Sequence, residues 1–427
     1  MSPEHQELLR DLAQQSHCSL MNGDGEQAEA SVDALLGCTT TETINAMLGR
    51  ELRRADGIFF SGPAWAQRLR EALPHGPFRR FVDPSCGIGD LLIEMARYLP
   101  LGGGLSQTLE SWSKQFYGMD LHMPLAQLAR YRLQALARGR HGIRGAVSVS
   151  PHLFGRFSAQ DALEGAWELC AGDCVLMNPP FQAVVSPSWS KYCGGRVSAA
   201  ALFLERALTD AQDGVTIVAL VPEAIRSGSR FSKLRDYMHS RGIVHQFTAC
   251  GRFSSEADID VAILSITVGA AIGVVRATGE ASSNNELTLS DLAVVRVGTV
   301  VPHRDPKTIT SRPFLDVDGA PVWQKIEVLR RARFVGSGFK PPFVVVRRTS
   351  SPSDRERARA TIVKGKEAVM VENHLLVLLP AKKTVKACEA IMKILSDPRT
   401  TDWLNEMLRC RHLTVRVMRQ LPVWTEA

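Results

Sequence analysis

The chain has 427 residues, 45% hydrophobic and 22% charged, enough for two or three globular domains, with no apolar run long enough to span a membrane. Nine cysteines without a C-x-x-C pair argue against a zinc ribbon, and their odd number argues against a fully paired disulfide framework. The net charge of +7 equals that of residues 341–427, where 16 Lys and Arg stand against 9 Asp and Glu, so this end suits a polyanion or a solvated basic surface.

The polar first ten residues hold no signal-peptide core, and a reducing cytoplasm is the expected compartment. Residues 1–56 are mostly helical in pattern, with a break at Asn22-Gly23-Asp24-Gly25-Glu26, and read as helical packing or a partner surface. Phe59-Phe60-Ser61-Gly62-Pro63 then places an aromatic pair ahead of a turn. Residues 81–92 read as strand, glycine turn and helix. In the segment Asp83-Pro84-Ser85-Cys86-Gly87-Ile88-Gly89, the two glycines let the backbone come close to a ligand. Residues 90–98 read as a helix and Gly102-Gly103-Gly104 as an exposed loop. A second strand, 116–120, ends in Asp120. An acid there accepts from ribose hydroxyls in nucleotide-binding α/β folds, or it caps the helix that follows at 124–138.

Asp161 lies 17 residues before Asn178, the spacing one short helix needs. Cys174-Val175-Leu176-Met177 reads as a buried parallel strand that ends in Asn178-Pro179-Pro180-Phe181. Both prolines have fixed φ and no N–H, and Asn178, preceding a proline, is pushed to an extended conformation. The loop offers an amide, a free carbonyl at Pro179 and an aromatic face at Phe181. That set suits a flat ring carrying an exocyclic NH₂, with a plain strand-terminating turn as the alternative. The polar stretch 186–198 suits a loop folding over a substrate. A helix at 200–209, a strand at 215–222, a helix at 230–241 and strands at 243–248 and 259–268 follow, with Phe253 just before the last. From about residue 289 short strands alternate with Pro/Gly turns. Arg347, Arg348, Arg355, Arg357 and Arg359 lie there, and two helices near 384–396 and 401–408 lead to Arg409 and Arg411.

Asp83-Pro84-x-Cys86-Gly87-x-Gly89 with Asn178-Pro179-Pro180-Phe181 resembles the S-adenosylmethionine-dependent DNA adenine-N6 methyltransferases of restriction-modification type. The likeness covers roughly residues 57–427, and its order, with cofactor motifs first and a recognition domain last, is that of the γ group. The resemblance implies an α/β fold, a Rossmann-like methyltransferase sheet with helices on both faces at 57–288. A helical segment at 1–56 precedes it and a smaller α+β target-recognition domain at 289–427 follows. It implies S-adenosylmethionine as cofactor. Phe60, Asp83, Pro84, Cys86, Gly87 and Gly89 would surround it, with Asp120 and Leu121 at its ribose, Asp161 and Ala162 at its adenine, and Asn178 beside it. Phe60-Ser61-Gly62-Pro63 departs from the family's aromatic-Thr-Pro motif, with Ser for Thr and Gly inserted. Catalysis would rest on Asn178, Pro179, Pro180 and Phe181, without metal or covalent intermediate, and Cys86 is not read as a nucleophile. Double-stranded DNA is the implied substrate, held by the seven arginines of the C-terminal part, with Phe253 near the flipped base. A cognate restriction endonuclease is an implied partner, and a membrane is not. Two alternatives share these features: an RNA or protein-glutamine methyltransferase with the same loop, and a catalytically idle DNA-binding subunit.

Overall fold

The computed structural model describes residues 3–22, 44, 46, 59–143, 152–165, 167–254, 259–269, 287–302, 305, 307–335, 337–351, 354–408 and 412–424. The chain divides into two compact units, Met1–Arg226 with Arg230–Ala277, and Thr278–Ala427 with Ser227–Ser229. The division falls among residues 270–286, which lie outside the described residues. Among the described residues no helix is long and apolar enough to cross a membrane.

The first unit begins with helices α1 (Pro3–Asn22) and α2 (Gly62–Glu71), then strand β1 (Arg80–Asp83), α3 (Asp90–Tyr98) and α4 (Leu105–Gln115). Next come β2 (Phe116–Asp120), α5 (Met123–Arg140), β3 (Phe157–Ala159), β4 (Asp173–Met177), β5 (Ala183–Val185) and β6 (Arg196–Ser198). α6 (Ala199–Asp210), β7 (Thr216–Pro222), α7 (Glu223–Ser227), α8 (Ser232–Arg241), β8 (Gly242–Arg252) and β9 (Asp260–Val268) follow. Seven strands form one sheet in the order β3-β2-β1-β4-β7-β9-β8. β3, β2, β1, β4 and β7 are parallel, and β9 runs antiparallel to both β7 and β8.

Every residue of β1 and β4 is buried, as a parallel sheet covered on both faces requires. This is the Rossmann-like methyltransferase sheet with helices on both faces. The chain travels outward through β1, β2 and β3, then returns to place β4 on the other side of β1. The strand order therefore reverses between β1 and β4, and a crevice opens outside their carboxyl ends.

Three segments differ from expectation. Residues 105–115 form α4, whose Leu105, Leu109 and Trp112 fill the core at helical spacing. The connection from β3 to β4 holds turns and no helix among its described residues. The stretch 186–198 is no free loop: β5 and β6 pair as a hairpin, and the buried Glu205 on α6 gathers the turn. Its carboxylate accepts from the Ser190 hydroxyl and the Lys191 amide, each at 2.6 Å, and from the Tyr192 amide at 3.2 Å.

The N-terminal segment belongs to this unit. Leu9 and Ala13 of α1 are buried against Leu125 and Leu128 of α5 and against Ile88 in the glycine turn.

The second unit contains α9 (Leu289–Leu292), β10 (Ala293–Val297), β11 (Lys307–Leu315), β12 (Lys325–Glu327), β13 (Arg331–Phe334) and β14 (Phe343–Arg347). It continues with β15 (Ala360–Lys364), β16 (Met370–Val371), β17 (Leu375–Pro380), α10 (Val385–Ser396), α11 (Pro398–Met407) and α12 (Val415–Gln420). One sheet has the order β10-β17-β14-β15-β12 and a smaller one β13-β11-β16. The side-chain period of two sends Val344 and Val346 of β14 into one core with α10 and α11. It sends Phe343 and Val345 into another with Leu315 and Phe339.

Candidate active site

The crevice is built on the turn after β1. Gly87 (φ +51°) and Gly89 (φ +83°) are left-handed, a conformation that excludes most side chains. Gly89 has a second constraint, since a Cβ there would lie 2.8 Å from Ala129 Cβ on α5. The Cys86 amide donates to Met119 O of β2 at 2.8 Å, closing the turn onto the neighbouring strand. Asp120 secures it further: one carboxylate oxygen accepts from the Gly87 amide and the other from the His122 amide, each at 2.9 Å. The N-cap of α5 is His122, so Asp120 is not that helix's cap.

Three acids crowd this turn. Burial, together with the charges of Asp120 and Asp90, raises the Asp83 carboxyl to about 8, against the lowering effect of the Ser85 amide. Burial also raises Asp120, opposed by the hydrogen bonds it accepts. The Cys86 thiol is pushed well up by burial and by Asp120 and Asp83.

β4 delivers Asn178 to the other wall. Its Nδ2 donates to Phe59 O at 3.2 Å and to Ser61 Oγ at 3.0 Å. Phe181 is buried, with Phe253 edge-on at 5.7 Å. Phe253 in turn stacks on Trp65 at 5.7 Å and meets Phe59 edge-on at 6.2 Å. Phe253 therefore backs Phe181 within a buried aromatic cluster.

Two chambers share Phe59, Phe60, Ser85, Gly87 and Asn178 in their linings. The larger, about 220 Å³, is lined by Phe60, Pro84, Gly87, Asp120, Leu121, Asp161, Ala162, Asn178 and Pro180 from the expected set. The smaller, about 30 Å³, adds Asp83 and Cys86. Gly89, Pro179 and Phe181 line neither. His122, Gln160, Leu163, Gln182, Val184 and Phe203 line the larger chamber without having been singled out. Gln160 and Gln182 adjoin Asp161 and Phe181 in sequence, and that adjacency was the available signal. Val184 and Phe203 arrive from the hairpin and α6, and carry no motif.

The C-terminal arginines do not act as one set. Arg357 is fully buried and donates to Ser350 Oγ at 3.3 Å, Leu404 O at 3.4 Å, Asn405 Oδ1 at 3.1 Å and Leu408 O. It satisfies carbonyls at the end of α11, which removes it from the DNA-contacting residues. Arg359 pairs with Asp354 at 3.3 Å, and Arg347 donates to Ala320 O at 3.2 Å. Arg348 is half-buried and Arg355 exposed; Arg409 and Arg411 lie outside the described residues.

No protein-family model matches the chain, and no curated protein matches it. Solved structures do. The modification subunit assigned to a type I restriction enzyme of Vibrio vulnificus YJ016 is 17% identical over 57% of this chain and 50% of its own, with a TM-score of 0.39. The Type IIL restriction-modification enzyme MmeI in complex with DNA is 13% identical, covering 95% of this chain and 68% of that one, at 0.48. A Listeria monocytogenes chain assigned to the class I S-adenosylmethionine-dependent methyltransferases is 16% identical over 64% of this chain and 90% of its own, at 0.37.

Proposed function

We propose that the chain transfers the methyl group of S-adenosylmethionine to the N6 amino group of an adenine in double-stranded DNA, within a restriction-modification or related defence system. The observation that carries this reading is Asn178. It stands in a turn poor in donors and lines both chambers, with its amide nitrogen already engaged.

The crevice fits the cofactor chemically. Ser85 Oγ is buried beside the glycine turn, with the Asp83 carboxyl as its neighbour and no well-formed hydrogen bond among the described residues, and the left-handed glycines leave their backbone open to a ligand. In this reading Asp120 takes the ribose hydroxyls and Asp161 the adenine amino group; both line the larger chamber, with Leu121, 66% exposed, beside them. When bound, the cofactor supplies a methyl group on a sulfonium.

The chain's own residues orient the acceptor. A duplex adenine must leave the stack to reach this crevice, at a cost of a few kcal/mol. Its N6 lone pair is delocalised into the ring. Accepting its two hydrogens at Asn178 Oδ1 and the Pro179 carbonyl favours a pyramidal nitrogen with the lone pair free. In this reading the purine stacks on Phe181, which is buried edge-on against Phe253 and lines neither chamber. Catalysis is orientation and charge placement.

The test is incubation of the protein with methyl-labelled cofactor and DNA, RNA and cellular protein in separate reactions. Label in DNA alone supports the reading. Label in RNA or on protein glutamine, or no label in any of them, overturns it.

A further inference from the structure

We infer that the Phe59 carbonyl and the Ser61 hydroxyl act as a latch that decides which end of the Asn178 amide faces the substrate. This deepens the methyl-transfer reading and rests on it.

An asparagine amide has a donor end and an acceptor end of nearly the same shape, so its orientation follows from its partners. Ser61 Oγ, 3.0 Å from Nδ2, can donate or accept and leaves both orientations open. Phe59 O, 3.2 Å away, is a backbone carbonyl and can only accept. An amide rotated by half a turn would set Oδ1 against Phe59 O, two acceptors with no proton between them. The NH₂ is therefore held on the side of Phe59 and Ser61, and both of its hydrogens are used there. Oδ1 has no partner among the described residues, on a side chain that lines both chambers. An amide set in this way presents an acceptor to the substrate. It favours an exocyclic amino group and disfavours a ring carbonyl such as O6 of guanine or O4 of thymine.

The latch is anchored from behind. Gly62 adopts φ +65°, and its amide donates to Asp90 Oδ2 at 2.8 Å. Asp90 Oδ1 is held by Arg132 Nη1 at 2.8 Å, and the same guanidinium nitrogen donates to Ile88 O at 2.6 Å. No atom lies within 4 Å of a Cβ built at Gly62, so the glycine answers to its dihedral and not to crowding. The inserted glycine of Phe60-Ser61-Gly62-Pro63 thus lets the segment turn so that Ser61 faces Asn178 while Gly62 faces Asp90.

Phe59 O sets the sense of the Asn178 amide and Ser61 holds its second hydrogen, so removing Ser61 lets the amide swing about its remaining bond; two readouts separate this positioning role from a structural one. In Ser61→Ala, kcat should fall about tenfold while cofactor affinity by calorimetry stays within twofold, and Ser61→Thr should restore the rate. A fall in cofactor affinity matching the fall in rate, or no change in kcat, would overturn the latch. The second readout needs no turnover. The chain has 7 asparagines, so selective ¹⁵N-Asn labelling resolves the Asn178 side-chain NH₂, identified by its loss in Asn178→Ala. Its hydrogens should exchange slowly with water in the wild type and at least tenfold faster in Ser61→Ala. Equal exchange in the two proteins would overturn the latch. A wild type that protects this amide but methylates nothing would count against the methyl-transfer reading alone.

Discussion

In the proposed reading Asn178 carries the chemistry, so its removal should separate rate from binding. Asn178→Ala is expected to lower kcat by about a hundredfold or more, the scale set by losing one preorganised polar group. Cofactor affinity, measured by calorimetry, should persist. Asp83 provides a pH signature. The folded protein holds its proton up to about 8, whereas an unfolded aspartate has lost it by about 4. The folded state binds the extra proton across that window, so this residue makes stability fall as pH rises through it. Asp83→Asn retains an oxygen for the Ser85 amide and removes the charge, so the gap in denaturation midpoint between variant and wild type should widen from pH 5 to pH 8.5. Arg357 is the residue that sequence could not place. An arginine among charged neighbours reads as surface, yet here its guanidinium satisfies carbonyls at the end of α11. Arg357→Ala should cost about 3 kcal/mol in chemical denaturation through the acceptors it strands. Gly87, Gly89 and the two prolines were legible because their backbone demands are written in their identity.

At the scale of elements, β4, β7 and β9 were readable as continuous apolar runs, because both of their faces are covered. α4 was missed although Leu105, Leu109 and Trp112 recur at helical spacing, since Gly102-Gly103-Gly104 pulled the reading toward a loop. α1 was legible as a helix but not by its partner. Periodicity shows that a face is buried and does not say against what. Its contact with Ile88 and Leu125 gives the N-terminal helix a role in holding the glycine turn. Leu9→Asp should therefore weaken cofactor affinity and lower stability together. Fluorescence titration with the cofactor, after a check that the sheet remains folded, reads this outcome. Unchanged affinity would make α1 a bystander to the crevice.

For the whole molecule, the two compact units divide the work in the proposed reading, with the cofactor crevice in the first and DNA recognition in the second. Net charge pointed to the basic end correctly as composition, but composition does not distinguish a guanidinium that caps a helix from one that meets a phosphate. The mixed pairing of the second unit was also out of reach. β12 runs parallel to β15 and β11 parallel to β16, across separations that no local pattern encodes. Arg355, exposed, is the cleaner test of the electrostatic footing. DNA affinity of the full chain should fall linearly on a log–log plot against salt, and Arg355→Ala should reduce the slope by about 1 while leaving stability within about 0.5 kcal/mol. The central claim is tested most directly by nucleoside mass spectrometry on duplex DNA after incubation with the protein and S-adenosylmethionine. The account predicts N6-methyladenine with the wild type and about a hundredfold less in the same time with Asn178→Ala; methylation at another atom, or equal methylation by the variant, would contradict it.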